Sequence, residues 1–232
     1  MPVSPMADPN AHAPTELRDR LAALRAARGA PGVLGFVDTA LPGARLFWSD
    51  RPVPRAPLSY APGIALIASG RKIGFFEDRR IAYGAGRYLA VGLPLHFECE
   101  TVASPEAPLL GLFLTLDPEA LRALARDLAD HGAAPLPPRT GLGIEPLPLG
   151  APMHDAAIRL AGQLLRPAEA AALAPATLKE IFFHALRDRH GRVLLSQTRH
   201  ARPEARIARL LRDLDAAPER FGGVDSLAEA AG

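Results

Sequence analysis

The chain holds a single cysteine, Cys99, in 232 residues. This excludes an internal disulfide framework and a zinc site built on several thiolates. A chain without disulfides suits a reducing compartment, and the cytoplasm is the expected location. Lysine is almost missing too: Lys72 and Lys179 stand alone, and the remaining positive charge is arginine. With a net charge of only +2, electrostatics alone do not make this a nucleic-acid-binding surface. There is no apolar run of the ~18 residues that a membrane-spanning helix needs, so no membrane partner is expected. The first residues, Met1 to Thr15, lack the basic and apolar regions of a signal peptide. No glycine-rich phosphate loop and no nucleophile elbow occurs, and 84–86 (Gly-Ala-Gly) precedes no helical pattern.

What is present is a chain with 48% hydrophobic residues, enough to bury a substantial core. Its organisation centres on residues 60–98. Apolar runs at 64–68, 73–76, 81–83 and 88–93 are separated by 69–72 (Ser-Gly-Arg-Lys), 77–80 (Glu-Asp-Arg-Arg) and 84–86. Short apolar runs punctuated by glycine and charge predict closely spaced antiparallel strands. Such strands must close or be covered, which a small barrel or a jelly roll achieves. Further strands are expected at 33–37, 45–48, 96–102 and 109–116, while the prolines of 49–57 predict an extended or looping segment. Residues 109–116 are apolar on both faces and predict a central strand.

Helices are expected at both ends of this region. Thr15 is a suitable N-cap for a helix with Leu17, Leu21 and Leu24 on one face, stopped near Gly29. Asp117-Pro118-Glu119 is a strong helix start, followed by Leu121, Leu124 and Leu128. A proline- and glycine-rich loop is expected over 133–148, then helices over 152–165, 175–188 and 204–216.

The ordered pieces Tyr60-x-Pro62, Gly70-Arg71-Lys72, Tyr83-x-x-Gly86-x-Tyr88-Leu89, Leu93-Pro94, Ala103-Ser104-Pro105-Glu106-x-Pro108 and Leu114-x-Leu116-Asp117 resemble the N-terminal, cupin-like domain of one branch of the AraC-family transcriptional regulators. One departure is Ser69-Gly70, where the family usually has Gln-Gly, so no glutamine role carries over. The resemblance implies an α+β fold: a cupin-like β-barrel (a double-stranded β-helix or jelly roll) followed by an α-helical dimerisation region. It implies a small-molecule effector in the barrel, a homodimer, and DNA as partner through a C-terminal helix-turn-helix domain. Residues 224–232 resemble the first helix of that unit, with Leu227 and Ala228 in its core and Gly232 at its turn. The expected organisation is 1–14 disordered, 15–117 effector-binding barrel, 118–200 helical dimerisation region, and 201–232 linker helix with a truncated helix-turn-helix. The helices at 152–165 and 175–188 are the candidate dimer surface, because their apolar stripes exceed what one barrel requires covering.

The rival reading is a cupin-type metal-dependent enzyme. Cupin enzymes hold a metal with two histidines one residue apart, a later glutamate and a further histidine, and the first pair does not occur here. No catalytic residue, metal or cofactor is therefore expected. The candidate ligand-binding residues are Trp48, Tyr60, Tyr83, Tyr88, His96 and Cys99. Alternation over 96–101 sets His96, Glu98 and Glu100 on one face and Phe97, Cys99 and Thr101 on the other. Cys99 has two readings, a small core hydrophobe or a reactive sensor thiol. Tyr88 beside Ala90 and Gly92 reads either as a ring in a ligand cavity or as ordinary core. His184 and Asp188 lie one helical turn apart, which suits a surface contact.

Overall fold

The computed structural model describes residues 13–76, 79–133, 144–188 and 193–195. The elements are α1 (Ala13–Ala27), β1 (Leu34–Asp38), β2 (Ala44–Ser49), β3 (Val53–Tyr60), β4 (Gly63–Ser69), β5 (Arg71–Phe76), β6 (Arg79–Gly84), β7 (Arg87–Val91), β8 (Leu95–Val102), β9 (Leu109–Thr115), α2 (Pro118–Asp130), β10 (Ile144–Pro148), α3 (Ala151–Leu164), α4 (Pro167–Ala172) and α5 (Ala174–Arg187). The expected helix at 204–216 and the residues Leu227, Ala228 and Gly232 lie outside the described residues, as does the segment before residue 13.

The strands make two antiparallel sheets, one in the order β1-β2-β9-β4-β7-β10 and one in the order β3-β8-β5-β6. Strands β2 to β9 cross between them as in a jelly roll, giving the expected α+β fold. Among the described residues no ladder joins the sheets, so the expected barrel is a pair of facing sheets.

Alternation assigns the layers. On β9, Leu110, Leu112 and Leu114 turn toward the helices, and on β4, Ile64, Leu66 and Ala68 do the same. Ala65, Ile67 and Leu109 turn the other way and meet Phe76, Tyr83, Phe97 and Cys99 of the smaller sheet. Strands covered on both sides need apolar residues at every position, which is why 109–116 carries no alternation.

Two segments are more regular than expected. Residues 53–60 form β3 despite Pro54 and Pro57. This strand is the edge of its sheet, with a register irregularity between Val53 and Ala56, and an edge or a bulge spares a proline the ladder hydrogen bond that it cannot donate. Likewise the end of the expected loop is β10, an edge strand on β7 that accommodates Pro146 and Pro148.

The helices cover the larger sheet. Leu17, Leu21 and Leu24 are at most 1% exposed and dock α1 against α3 and β4. α1 starts two residues before the expected cap at Thr15. Asp117 does cap α2, its Oδ1 accepting from the Glu119 N–H at 2.9 Å. The stripes of α3 and α5 are consumed within the chain: Met153, Ala156, Leu160 and Leu164 join Ile181, Phe182, Ala185 and Leu186 in the helix-side core. Their outer faces carry polar contacts instead, such as the Arg159–Glu180 ion pair. His184 lies 3.7 Å from Glu180, on the preceding turn.

One ion pair ties α1 to the sheet. The Arg25 guanidinium donates to both carboxylate oxygens of Asp50, at 2.7 and 2.8 Å, and to the Gly32 carbonyl at 2.7 Å. These donors hold the Asp50 carboxyl below the ordinary aspartate value. A depressed folded pKa adds stability above the unfolded value of about 3.9, and that stability is lost as pH falls through the folded value. Asp50→Asn is therefore expected to cost about 0.5–1 kcal/mol at neutral pH, given partial exposure. The difference from wild type should vanish in denaturant melts taken progressively below pH 4; a constant difference would show that the carboxylate charge is not its source.

Candidate functional site

Between the sheets lies a cavity of about 410 Å³. Its walls include Phe47 from β2, Leu58 and Tyr60 from β3, Lys72 from β5, Thr101 from β8, and Phe113 from β9. The register explains this convergence. Lys72 stands opposite both Tyr83 and Thr101, so all three share the inward face of the smaller sheet. Phe47 stands opposite Gly111, whose missing side chain leaves space for the phenyl ring.

The walls are aromatic. Tyr60 stacks on Phe113 with centroids 5.3 Å apart and meets the Phe97 ring edgewise at 5.4 Å. The Lys72 ammonium sits between two rings, 5.7 Å from the Phe47 centroid and 5.8 Å from that of Tyr60. At the rim, Arg45 lies over the Phe36 ring and is paired with Asp38 at 2.7 Å.

Deeper in, a polar chain links Tyr60 to Tyr83 (hydroxyl oxygens 3.2 Å apart) and Tyr83 to the Cys99 sulfur (3.8 Å). Burial pushes the Tyr83 phenol well above its ordinary value, with Tyr60 and Cys99 adding to the shift. Burial also raises the Cys99 thiol, against the opposing pull of the Lys72 charge and the Tyr83 hydrogen bond. Both groups are thus neutral near pH 7, and a neutral thiol is a poor nucleophile.

The candidate residues separate into three places. Tyr60, Tyr83 and Cys99 meet in the inter-sheet interior. Trp48 and Tyr88 belong to the core on the helix side of the larger sheet, and Trp48 also borders the cavity. Trp48 donates its indole N–H to the Gly32 carbonyl at 3.1 Å and lies under the Arg25 guanidinium. His96 sits on the exposed outer face of the smaller sheet, its Nδ1 2.6 Å from the Ser59 hydroxyl. Among the described residues, no three His, Cys, Asp or Glu side chains gather as metal ligands.

Sequence reasoning passed over Lys72, placing it in a turn. The break between β4 and β5 is shorter than 69–72 and rests on Gly70, whose φ of +70° favours glycine. Lys72 therefore belongs to the strand. The available signal was period-two alternation back from Phe76 through Gly74 to Lys72.

Two facing antiparallel sheets with an aromatic-walled cavity between them, roofed by helices, define a jelly-roll domain with a helical extension. A family model described as the AraC-type transcriptional regulator N-terminus matches residues 40–193, and the chain belongs to that family. Similar solved structures include a variant of apo ToxT from Vibrio cholerae, at 10% identity and a TM-score of 0.43, covering 82% of this chain and 79% of that one. Another is the AraC-like transcriptional activator CuxR, at 14% identity and a TM-score of 0.33, covering 94% and 81%. A cupin protein from Bacteroides fragilis matches at 19% identity and a TM-score of 0.24, covering 37% and 76%. No curated protein matches the chain significantly.

Proposed function

We propose that this chain is the effector-sensing part of a transcription regulator: a small molecule enters the inter-sheet cavity and alters DNA binding by a helix-turn-helix unit beginning near residue 224. The observation that carries this reading is the family match over residues 40–193 together with a cavity of about 410 Å³ lined mostly by residues of that span. Such a volume suits a small organic molecule. An effector acts only by binding one arrangement of sensor and DNA-binding unit better than another. β9 offers a short route: Phe113 lines the cavity, and the same strand runs directly into Asp117, the cap of α2.

The test is promoter binding in cells. A tagged copy of the gene product should enrich discrete promoter DNA, and deleting the gene should change transcription from those promoters. No enrichment anywhere would end the DNA-control reading. Self-association belongs to the same proposal. Light scattering at tens of micromolar should give about twice the chain mass of 24.6 kDa. A mass of one chain would remove the dimer, whose expected surface on α3 and α5 is already covered within the chain.

A further inference from the structure

We propose that the effector is an organic anion, with its acidic head on Lys72 and a flat apolar body held among Phe47, Tyr60 and Phe113. The inference rests on the effector-sensing reading and names the chemistry of that ligand.

Charge balance is the first argument. Among the described residues two cations line the cavity, Arg45 and Lys72, and no carboxylate does. Arg45 is compensated by Asp38 at the rim. Lys72 forms no ion pair among the described residues, and its neighbours are ring faces. A half-buried ammonium gives up part of its hydration, and ring faces near 6 Å return only a fraction of it. An anion restores the rest through charge-assisted hydrogen bonds.

Placement is the second argument. Thr101 stands directly opposite Lys72 in the register. It is only 6% exposed and lines the same cavity. An oxygen of the ligand's head that accepts from the ammonium is therefore offered a second donor from the neighbouring strand. The Tyr60 hydroxyl, on the other side, is already engaged with Tyr83. Apart from Ser49, Ser59 and Thr115, the remaining walls are apolar, with the Phe47 and Phe113 rings prominent, which favours a flat body over a sugar-like one.

The test uses the 232-residue chain and isothermal calorimetry with two probes, naphthalene-2-carboxylate and its neutral amide. The acid should bind about tenfold tighter than the amide or better, as expected for hydrogen bonds to a charged group. Lys72→Met should erase that gap with little effect on the amide, and Lys72→Arg should keep most of it. Thr101→Val should weaken the acid by a smaller factor. Thermal melts establish that the variants fold; should Lys72→Met not fold, the wild-type gap and Thr101→Val decide.

Equal affinity for acid and amide, survival of the gap in Lys72→Met, or binding of neither probe overturns the proposal. Binding of the amide alone sinks the anion and leaves the sensing reading standing. Acid binding through Lys72 without promoter enrichment does the reverse.

Discussion

Replacing Leu21 by alanine is expected to destabilise the chain by about 2–5 kcal/mol. Leu21 is fully buried in the helix-side core, in the middle of the Leu17, Leu21, Leu24 stripe that fastens α1 over α3 and β4. Truncation removes the transfer free energy of the side chain and leaves a void. The void collapses poorly, because the surfaces around it belong to a packed helix and a central strand. Chemical denaturation should show a lower midpoint with an unchanged slope. In a domain of this size each kilocalorie lowers the melting temperature by about 2–4 °C. Ala22, next in sequence and exposed, provides the contrast: Ala22→Ser should stay within about 0.5 kcal/mol. Similar losses at the two positions would mean that α1 is not docked by this stripe.

Gly111→Ala carries the second large effect, for the opposite reason. Gly111 sits on central β9 between Phe47 of β2 and Ile67 of β4. A Cβ there would overlap both the Leu66 carbonyl oxygen and the Phe47 ring. The carbonyl belongs to the β4–β9 ladder and retreats only if those strands part. The ring borders the cavity and is expected to yield in that direction. The expected cost is about 1–3 kcal/mol or more from overpacking. If the variant folds, naphthalene-2-carboxylate binding should fall along with stability, because the displaced phenyl occupies ligand space. Wild-type stability in Gly111→Ala would show that the sheet is looser here than its register implies.

The parts of this fold legible in the sequence were those with a local cause. Asp117-Pro118-Glu119 announces α2 because capping is a matter of adjacent atoms. The stripe of α1 follows from helical spacing alone. The alternation of Phe97, Cys99 and Thr101 against His96 and Glu98 matches their burial, because β8 has one covered face and one wet face.

Where both faces are covered, the sequence loses that information. β4 and β9 are apolar up to their last residues, Ser69 and Thr115, so little in their composition says which side chains meet helices and which meet the second sheet. Trp48 and Tyr88 show the consequence. Each is an aromatic on a strand of the larger sheet, and alternation gives its phase without saying which face lies toward the cavity. Tyr60 and Tyr83 lie on the smaller sheet, whose outer face is wet in part, so burial and inward orientation coincide for them. Proline misled in a different way. Pro54, Pro57, Pro146 and Pro148 weaken the strand signal of β3 and β10, yet both strands are edges, and edge position is a property of the whole sheet. Lys72 was obscured by its neighbours: a charged residue two positions after a turn glycine looks like part of the turn until the opposing strand is known.

The most direct test of the account is a crystal structure of the chain grown with naphthalene-2-carboxylate. The naphthalene is expected between the two sheets, against Phe47, Tyr60 and Phe113, with the carboxylate within hydrogen-bonding distance of Lys72 Nζ. A ligand seated elsewhere, with the inter-sheet cavity filled by rearranged side chains, would contradict it.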